Sequence, residues 1–330
     1  MPKNNPFVSV IVPFVEYDDN MKECINGVLN LKYPTYELII VSDEKKEIPK
    51  NQKIKCIVSG KKTISYKRNL AMKKSDPKVE YFAFIDSDAC PKKDWLRNTI
   101  NLFKKNKKIS AAGGPNIKPE NADYRETCAS NSVLSPFVSG MKYFQCKISE
   151  SRFVDDLPTC NLIIRKDVIK SVGMFDEKLM TGEDLDLCLK IKRKGGKILF
   201  SKDIVVYHHR RKIFKPFLRQ RFVYGMSVYK LFKKNPSVKS LYLLIPPLII
   251  VYIVLGIAFS FFSVFVFIFF METLFFAFLL SLFEGMRTSE NIKQVFGTAS
   301  NIFLSFFVSG IGAFLGVIKN SDSKNIYEKR

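Results

Sequence analysis

Residues 81–91 read YFAFIDSDACP. Five mostly apolar residues, Tyr81 to Ile85, give way abruptly to two carboxylates one residue apart, Asp86 and Asp88, and a proline follows at position 91. The apolar run reads as a buried strand, so the charge at its end needs a reason. A divalent cation bridging carboxylate and phosphate supplies one, because Mg²⁺ takes one or two protein carboxylates and completes its shell with phosphate oxygens and water. A turn or helix cap supplies another, since Asp is common there.

The surrounding chain alternates. VSVIVPF (8–14) and YELIIVSD (36–43) are short, β-branched and bounded by turn residues. Between them DNMKECINGVLNL has helical apolar spacing at Met21, Cys24, Ile25, Val28 and Leu29, which makes a βαβ unit. KIKCIVSG then predicts a strand, SYKRNLAMKKS a helix and YFAFIDSD the buried strand, the order of a parallel α/β sheet. Ligands of such sheets sit beyond the carboxyl ends of the strands. Pro13, Asp43, Asp86 and Asp88 are therefore expected on one rim. After residue 110 the pattern loosens, then resumes in TCNLIIRKDVIKSVG, GEDLDLCLKIKRKGG and a single strand KILFSKDIVVYHH.

Composition divides the chain in two. The formal net charge is +22 over 330 residues, yet Leu241–Phe283 holds one acid, Glu272, and no Lys or Arg. That stretch is too long for one membrane span and long enough for two, near 241–260 and 262–283. A third apolar stretch, 301–318, carries Ser and Gly suited to close helix packing. The expected organisation is a cytosolic soluble domain over 1–230, with halves 7–115 and 116–230, followed by a membrane domain over 231–330. FVSVIVPFV near the N-terminus is too short for a signal peptide and lacks its cleavage site. Seven cysteines without a CxxC pair suit a reducing compartment. HHRRKIFKPFLRQRF and YKLFKKNPSVKS form a basic flank expected on the cytoplasmic side, where anionic lipid headgroups attract it. Three crossings would put the tail KNSDSKNIYEKR outside, against that trend, so an even number of crossings or a re-entrant third segment stands beside three. The basic excess lies beside the membrane and no nucleic-acid motif appears, so no nucleic-acid partner is expected.

Three further groups can carry chemistry. Glu183, Asp184 and Asp186 open a helical pattern, where acids favour the macrodipole and where a carboxylate can also serve as a general base. His208 and His209, the chain's two histidines, precede Arg210 and Arg211. A histidine can complete a metal site and Arg suits diphosphate; a basic membrane-proximal surface is the plainer account. Lys67, Arg68 and Asn69 read on their own as a solvated helix face.

In order and spacing these elements resemble glycosyltransferase family 2 on a GT-A fold, a Rossmann-like, mostly parallel α/β architecture. The likeness runs from about residue 7 to about residue 230. VSVIVPF looks like its opening strand, KRN its nucleotide-contacting segment, DSD its DxD metal motif and GED its base motif. GGPNIKP, FVDDLPTCNLIIRKDV, VYHHRR, RQRFVYG and SGIGAFLGVIK look like the membrane-bound members with C-terminal transmembrane helices. The resemblance implies inverting transfer of a sugar from a UDP-, GDP- or dTDP-linked donor to a membrane-associated acceptor, with Mg²⁺ or Mn²⁺ as cofactor. It gives Asp184 as base with Glu183 beside it, and Asp88, Asp86 and His208 or His209 at the metal. Pro13, Glu16, Asp43, Arg68, Asp86, Asn161, Arg211, Gln220 and Arg221 would bind the nucleotide sugar. Two departures matter. The usual Asp-Asp-Gly-Ser is replaced by SDEKK at Asp43. The QxxRW of processive synthases is replaced by RQRFVYG, with Phe222 in place of Trp, which favours transfer of one sugar, or few, over polymer extrusion. A processive synthase and an inactive membrane scaffold that binds nucleotide sugar are the alternatives.

Overall fold

The computed structural model describes residues 5–179, 181–234 and 245–319. Positions 235–244, which hold part of the basic flank and the start of the first expected span, and the tail from 320 lie outside the described residues. Contacts organise the chain into two compact units. One combines the chain through Pro119 with Phe144–His209, the other Glu120–Tyr143 with the chain from Arg210 onward.

The first unit opens with β1 (Phe7–Pro13), α1 (Asp19–Leu29), β2 (Tyr36–Ser42), β3 (Ile54–Val58), α2 (Ile64–Lys73) and β4 (Val79–Phe84). It continues through β5 (Ala89–Pro91), α3 (Trp95–Lys105), β6 (Ile109–Gly113) and β7 (Asn116–Ile117). The chain leaves for the second unit in α4 (Tyr124–Val133) and α5 (Pro136–Ser139). It returns with β8 (Arg152–Val154), β9 (Leu162–Arg165), α6 (Lys166–Val172), α7 (Glu183–Arg193), β10 (Lys197–Phe200) and β11 (Val206–His208).

Eight strands form one sheet in the order β3-β2-β1-β4-β9-β6-β10-β8. β1 pairs in parallel with β2 and β4, β2 with β3, and β6 with β10, whereas β9 runs against β4 and β6, and β8 against β10. Both faces of this sheet are covered. Along β4 and the residue after it, Tyr81, Ala83 and Ile85 enter one core while Phe82 and Phe84 enter the other. That is why the run is apolar without alternation. Each such large side chain removed from water contributes roughly 1.5–3 kcal/mol. Asp18 starts α1 by accepting from Met21 N at 2.9 Å, and Thr63 starts α2 by accepting from Tyr66 N at 3.2 Å, so side-chain caps set both helices' entry points.

A second, small sheet has the order β5-β11-β7. The stretch 197–209, read above as one strand, is two. Ser201 N bonds Gly113 O and Ile204 N bonds Ser201 O, and this turn ends β10 in the large sheet before β11 begins in the small one. That break carries the histidines out of the sheet.

The second unit contains α4, α5, α8 (Lys215–Lys234), α9 (Ile245–Ser260), α10 (Val264–Thr288) and α11 (Ile292–Lys319). α10 and the Ile292–Ile318 stretch of α11, 25 and 27 residues, are apolar and long enough to cross a membrane; α9 is apolar and shorter. At 1.5 Å per residue each of the two reaches beyond the roughly 30 Å of hydrocarbon. α8 and α11 touch backbone to backbone. A Cβ on Gly225 would overlap Ser309 O, one on Gly312 the Phe222 O and one on Gly316 the Met226 O. The close packing expected from the Ser and Gly content is thus present. On the α4 side, Asn301 Nδ2 donates to Ser132 Oγ at 3.0 Å, Asn131 Nδ2 to Ser289 Oγ at 3.2 Å, and Ser289 Oγ to Thr298 Oγ1 at 3.2 Å.

Candidate active site

β1, β2 and β4 are parallel and adjacent, so their carboxyl ends share one rim, and the rim positions expected there are found there. Pro13 is buried and in register with Val41, Asp43 follows β2, and Glu16 is exposed in the loop after β1. The Asp43 carboxylate pairs with the buried Lys67 ammonium at 2.6 Å, and Lys67 also donates to Phe14 O at 2.9 Å.

The Asp-Ser-Asp segment is a tight turn closed by Ala89 N donating to Asp86 O at 3.1 Å. The small sheet fixes its other side. β5 pairs antiparallel with β11, with Ala89 opposite His208, and His209 N donates to Asp88 O at 2.8 Å. This ladder sets the His208 ring against the turn. His208 Nε2 lies 3.2 Å from Asp88 Oδ1, and one ligand atom each from Asp86, Asp88 and His208 lies within 4.8 Å of the others. His209 turns to α1 instead, its Nε2 3.1 Å from Glu23 Oε2. Two carboxylates and an imidazole at this spacing, all partly exposed, fit a divalent cation that keeps positions open for phosphate and water.

Arg68 links that turn to α7. Its Nη2 donates to Asp86 Oδ1 at 2.8 Å and its Nη1 to Glu183 Oε1 at 2.7 Å. Gly182, left-handed with φ 77°, starts α7 without a side-chain cap, which leaves Glu183, Asp184 and Asp186 around the helix N-terminus. Asp186 is buried and paired with Lys190 at 2.9 Å. Asp184 Oδ1 accepts from Leu185 N at 2.8 Å. Burial first, then the Asp184 carboxylate, push the Glu183 carboxyl above its ordinary range against the pull of Arg68. Burial opposes the charge of Arg68, but Asp86, Glu183 and Asp184 outweigh it and raise the guanidinium's pKa. The group stays charged.

Asn161 sits inside the unit, away from solvent. Its Oδ1 accepts from Trp95 Nε1 at 2.8 Å and its Nδ2 donates to Ile204 O at 2.8 Å and Pro115 O at 3.3 Å, so its side chain fastens the core that supports β11. Arg211, Gln220 and Arg221 belong to the second unit. Arg211 is exposed, Gln220 Nε2 donates to Tyr224 Oη at 3.0 Å, and Arg221 lies over the Tyr224 ring at 5.9 Å. Lys67, Arg68 and Asn69, read from sequence as a solvated face, are 1%, 2% and 3% exposed, because each meets an internal partner. Glu23, Glu177 and Phe175 gave no signal in the sequence, and they join the site's surroundings only through the fold.

Residues 9–173 match the family model described as Glycosyl transferase family 2. A protein of Haloferax volcanii named Glycosyltransferase AglE is 26% identical over 237 residues, 68% of this chain and 74% of that protein. A Methanococcus voltae protein is 23% identical over 246 residues, 69% of this chain and 75% of its own. It is named dolichyl N-acetyl-alpha-D-glucosaminyl phosphate 3-beta-D-2,3-diacetamido-2,3-dideoxy-beta-D-glucuronosyltransferase. Among solved structures, a mannosyltransferase of Pyrobaculum calidifontis in complex with GDP-Man and Mn²⁺ aligns with all of this chain and 89% of its own. At a TM-score of 0.55 and 13% identity it shares the GT-A fold.

Proposed function

The chain belongs to glycosyl transferase family 2, and from that premise we propose that it transfers a sugar, with inversion, from a nucleotide-sugar donor to a hydroxyl of a membrane-associated acceptor. The observation that carries this reading is the convergence of Asp86, Asp88 and His208 on one point, tied through Arg68 to the acidic first turn of α7. Asp88, Asp86 and His208 would hold a divalent cation, Mg²⁺ or Mn²⁺, which when bound offsets the charge of the departing diphosphate.

Asp184 is the base in this reading. Its neighbour Glu183 is committed to Arg68, whereas Asp184 spends one oxygen on the Leu185 N–H and keeps carboxylate for the acceptor. The acceptor hydroxyl gives its proton to Asp184 as its oxygen bonds the anomeric carbon, and the anomeric C–O bond breaks on the opposite face with its electron pair leaving on the nucleoside diphosphate. Pro13, Glu16 and Asp43 on the rim, and Arg211, Gln220 and Arg221 in the second unit, are the proposed donor contacts. His209, held by Glu23, serves the site through its backbone bond to Asp88.

A membrane-bound acceptor, lipid-linked or a nascent glycan, and a membrane location are supported by α10 and α11 and by the Methanococcus relative's name; a cytosolic catalytic unit is supported by the basic flank that precedes the apolar helices in the sequence. Transfer without processive extrusion is supported by Phe222, whose backbone packs against Gly312 in α11.

Calorimetric titration of the detergent-solubilised chain with UDP, GDP, dTDP and their sugar conjugates, with and without Mn²⁺ or Mg²⁺, tests this. One nucleotide class binding only with metal is expected. Asp184→Asn should keep that binding and lose on the order of 10²–10⁴ in transfer rate; unchanged turnover removes Asp184 from the mechanism.

A further inference from the structure

Adjacent positions of a helix point about 100° apart, so three consecutive buried polar residues on α2 must reach three different neighbours. Lys67 reaches the ends of β1 and β2, at Phe14 O and Asp43. Asn69 takes the loop before α7: its Nδ2 donates to Phe175 O at 2.9 Å and Glu177 Oε1 at 2.8 Å, and its Oδ1 accepts from Phe175 N at 3.1 Å. Arg68 lies between them and spans from the turn after β4 to the first turn of α7. One turn of one short helix thus touches the ends of β1 and β2, the turn after β4 and the first turn of α7.

We infer that Arg68 is a positioning residue of the transfer reaction, a strut whose two terminal nitrogens hold the Asp86–Asp88 turn and the Glu183–Asp184 turn at a fixed separation, and that it makes no contact with donor phosphate. The inference rests on the transferase reading above and adds to it a role that the family resemblance assigns differently. Both Nη atoms are already bonded to carboxylates, and the guanidinium carbon lies 5.5 Å from the centre of the Phe175 ring. Nε is buried without a hydrogen-bond partner among the described residues. Two of its five N–H donors are thus spent on carboxylates, and with the residue 2% exposed the others are shielded from solvent and from a diphosphate arriving through it.

The charge balance points the same way. Asp86, Glu183 and Asp184 all act on this one buried cation, so its loss leaves several carboxylates facing one another across the site. A lysine keeps the charge, but its single ammonium cannot reproduce a planar fork with two donors aimed at two carboxylates. The strut should be lost while the charge remains.

The test uses the full chain in detergent with UDP-glucose, UDP-GlcNAc, GDP-mannose and dTDP-glucose, following nucleoside diphosphate release in the presence of Mn²⁺. With Arg68→Lys, donor KM should stay within about 3-fold of wild type while kcat falls ~30-fold or more, the signature of an interaction that matters in the transition state. Glu183→Gln, which keeps the shape and severs the charge link, should do the same, and it carries the test if the Arg68 variant fails to fold. The double variant should lose no more than the worse single one, because the two act through one contact. A donor KM raised about 10-fold or more with kcat preserved makes Arg68 a substrate contact and overturns the inference. So do additive losses, or an unchanged kcat. A wild-type chain that turns over none of the four donors sinks the transferase reading and this role with it, whereas an active wild type with a KM-type loss sinks this role alone.

Discussion

Asp88 and His208 meet because β5 and β11 are paired, and the consequence is measurable one residue at a time. Asp88→Ala or His208→Ala should weaken Mn²⁺ binding by ~10-fold or more in a direct titration, as loss of a metal ligand or its support does; normal binding by both would dissolve the proposed centre. Trp95 is a different case, since its ring is buried and its Nε1 is bonded to Asn161. Asn161→Ala should therefore cost roughly 1–3 kcal/mol by stranding that donor, seen as a lower denaturation midpoint with no specific rise in donor KM. Glu183 carries a pH dependence. Its carboxyl is raised in the folded chain by burial and Asp184, so the folded state binds a proton more readily than the unfolded one, whose value lies near about 4.3. Stability is then highest below that value and falls as pH rises through the folded pKa. Glu183→Gln should flatten that slope in denaturation curves taken across this range. Some of the site was legible in advance and some was not. The Asp86 and Asp88 pair stood out because charge at the end of a buried run is costly without a purpose. Arg68 stood out only through the resemblance of KRN, since a charged helix position is normally solvated, and its pairing with two carboxylates, 18 and 115 residues away, gave no signal.

Elements divide the same way. β1, β2 and β4 were readable because a strand covered on both faces must be apolar throughout, and the parallel order follows from the helices between them. β9 inserting antiparallel between β4 and β6 left no mark, since Leu162–Arg165 would look the same in either direction. The break between β10 and β11 was hidden because Ser201–Val205 interrupts the apolar pattern only briefly, and the turn depends on a backbone bond to Gly113. In the second unit the contact between α8 and α11 depends on glycine. Gly312→Val would drive a branched side chain into the Phe222 carbonyl, with helix backbone on both sides unable to give way. Overpacking of this kind costs about 1–3 kcal/mol, so the variant should melt lower in detergent, whereas Phe261→Ala in the exposed turn after α9 should melt like wild type.

For the molecule as a whole, +22 net charge and two long apolar helices give separate reasons to associate with a membrane, and they respond differently to solvent. Electrostatic attachment is screened within roughly 3 Å at 1 M salt, while a spanning helix is indifferent to it. Membranes washed with 1 M NaCl and then alkaline carbonate should retain the chain; release by salt alone would mean that α10 and α11 do not span. The grouping of Glu120–Tyr143 with the chain beyond Arg210 could not be read from composition, because α4 carries ordinary polar residues whose partners, Ser289 and Asn301, lie far along the chain. The small sheet, finally, imposes an order of events on synthesis. β5 emerges early and waits for β11, which is the last strand of its unit to be made. A nascent chain halted before Val206 holds both aspartates of the turn and lacks the imidazole opposite them, so the proposed metal centre would be completed only when the ribosome has finished the strands of this unit and is starting on the helices that follow.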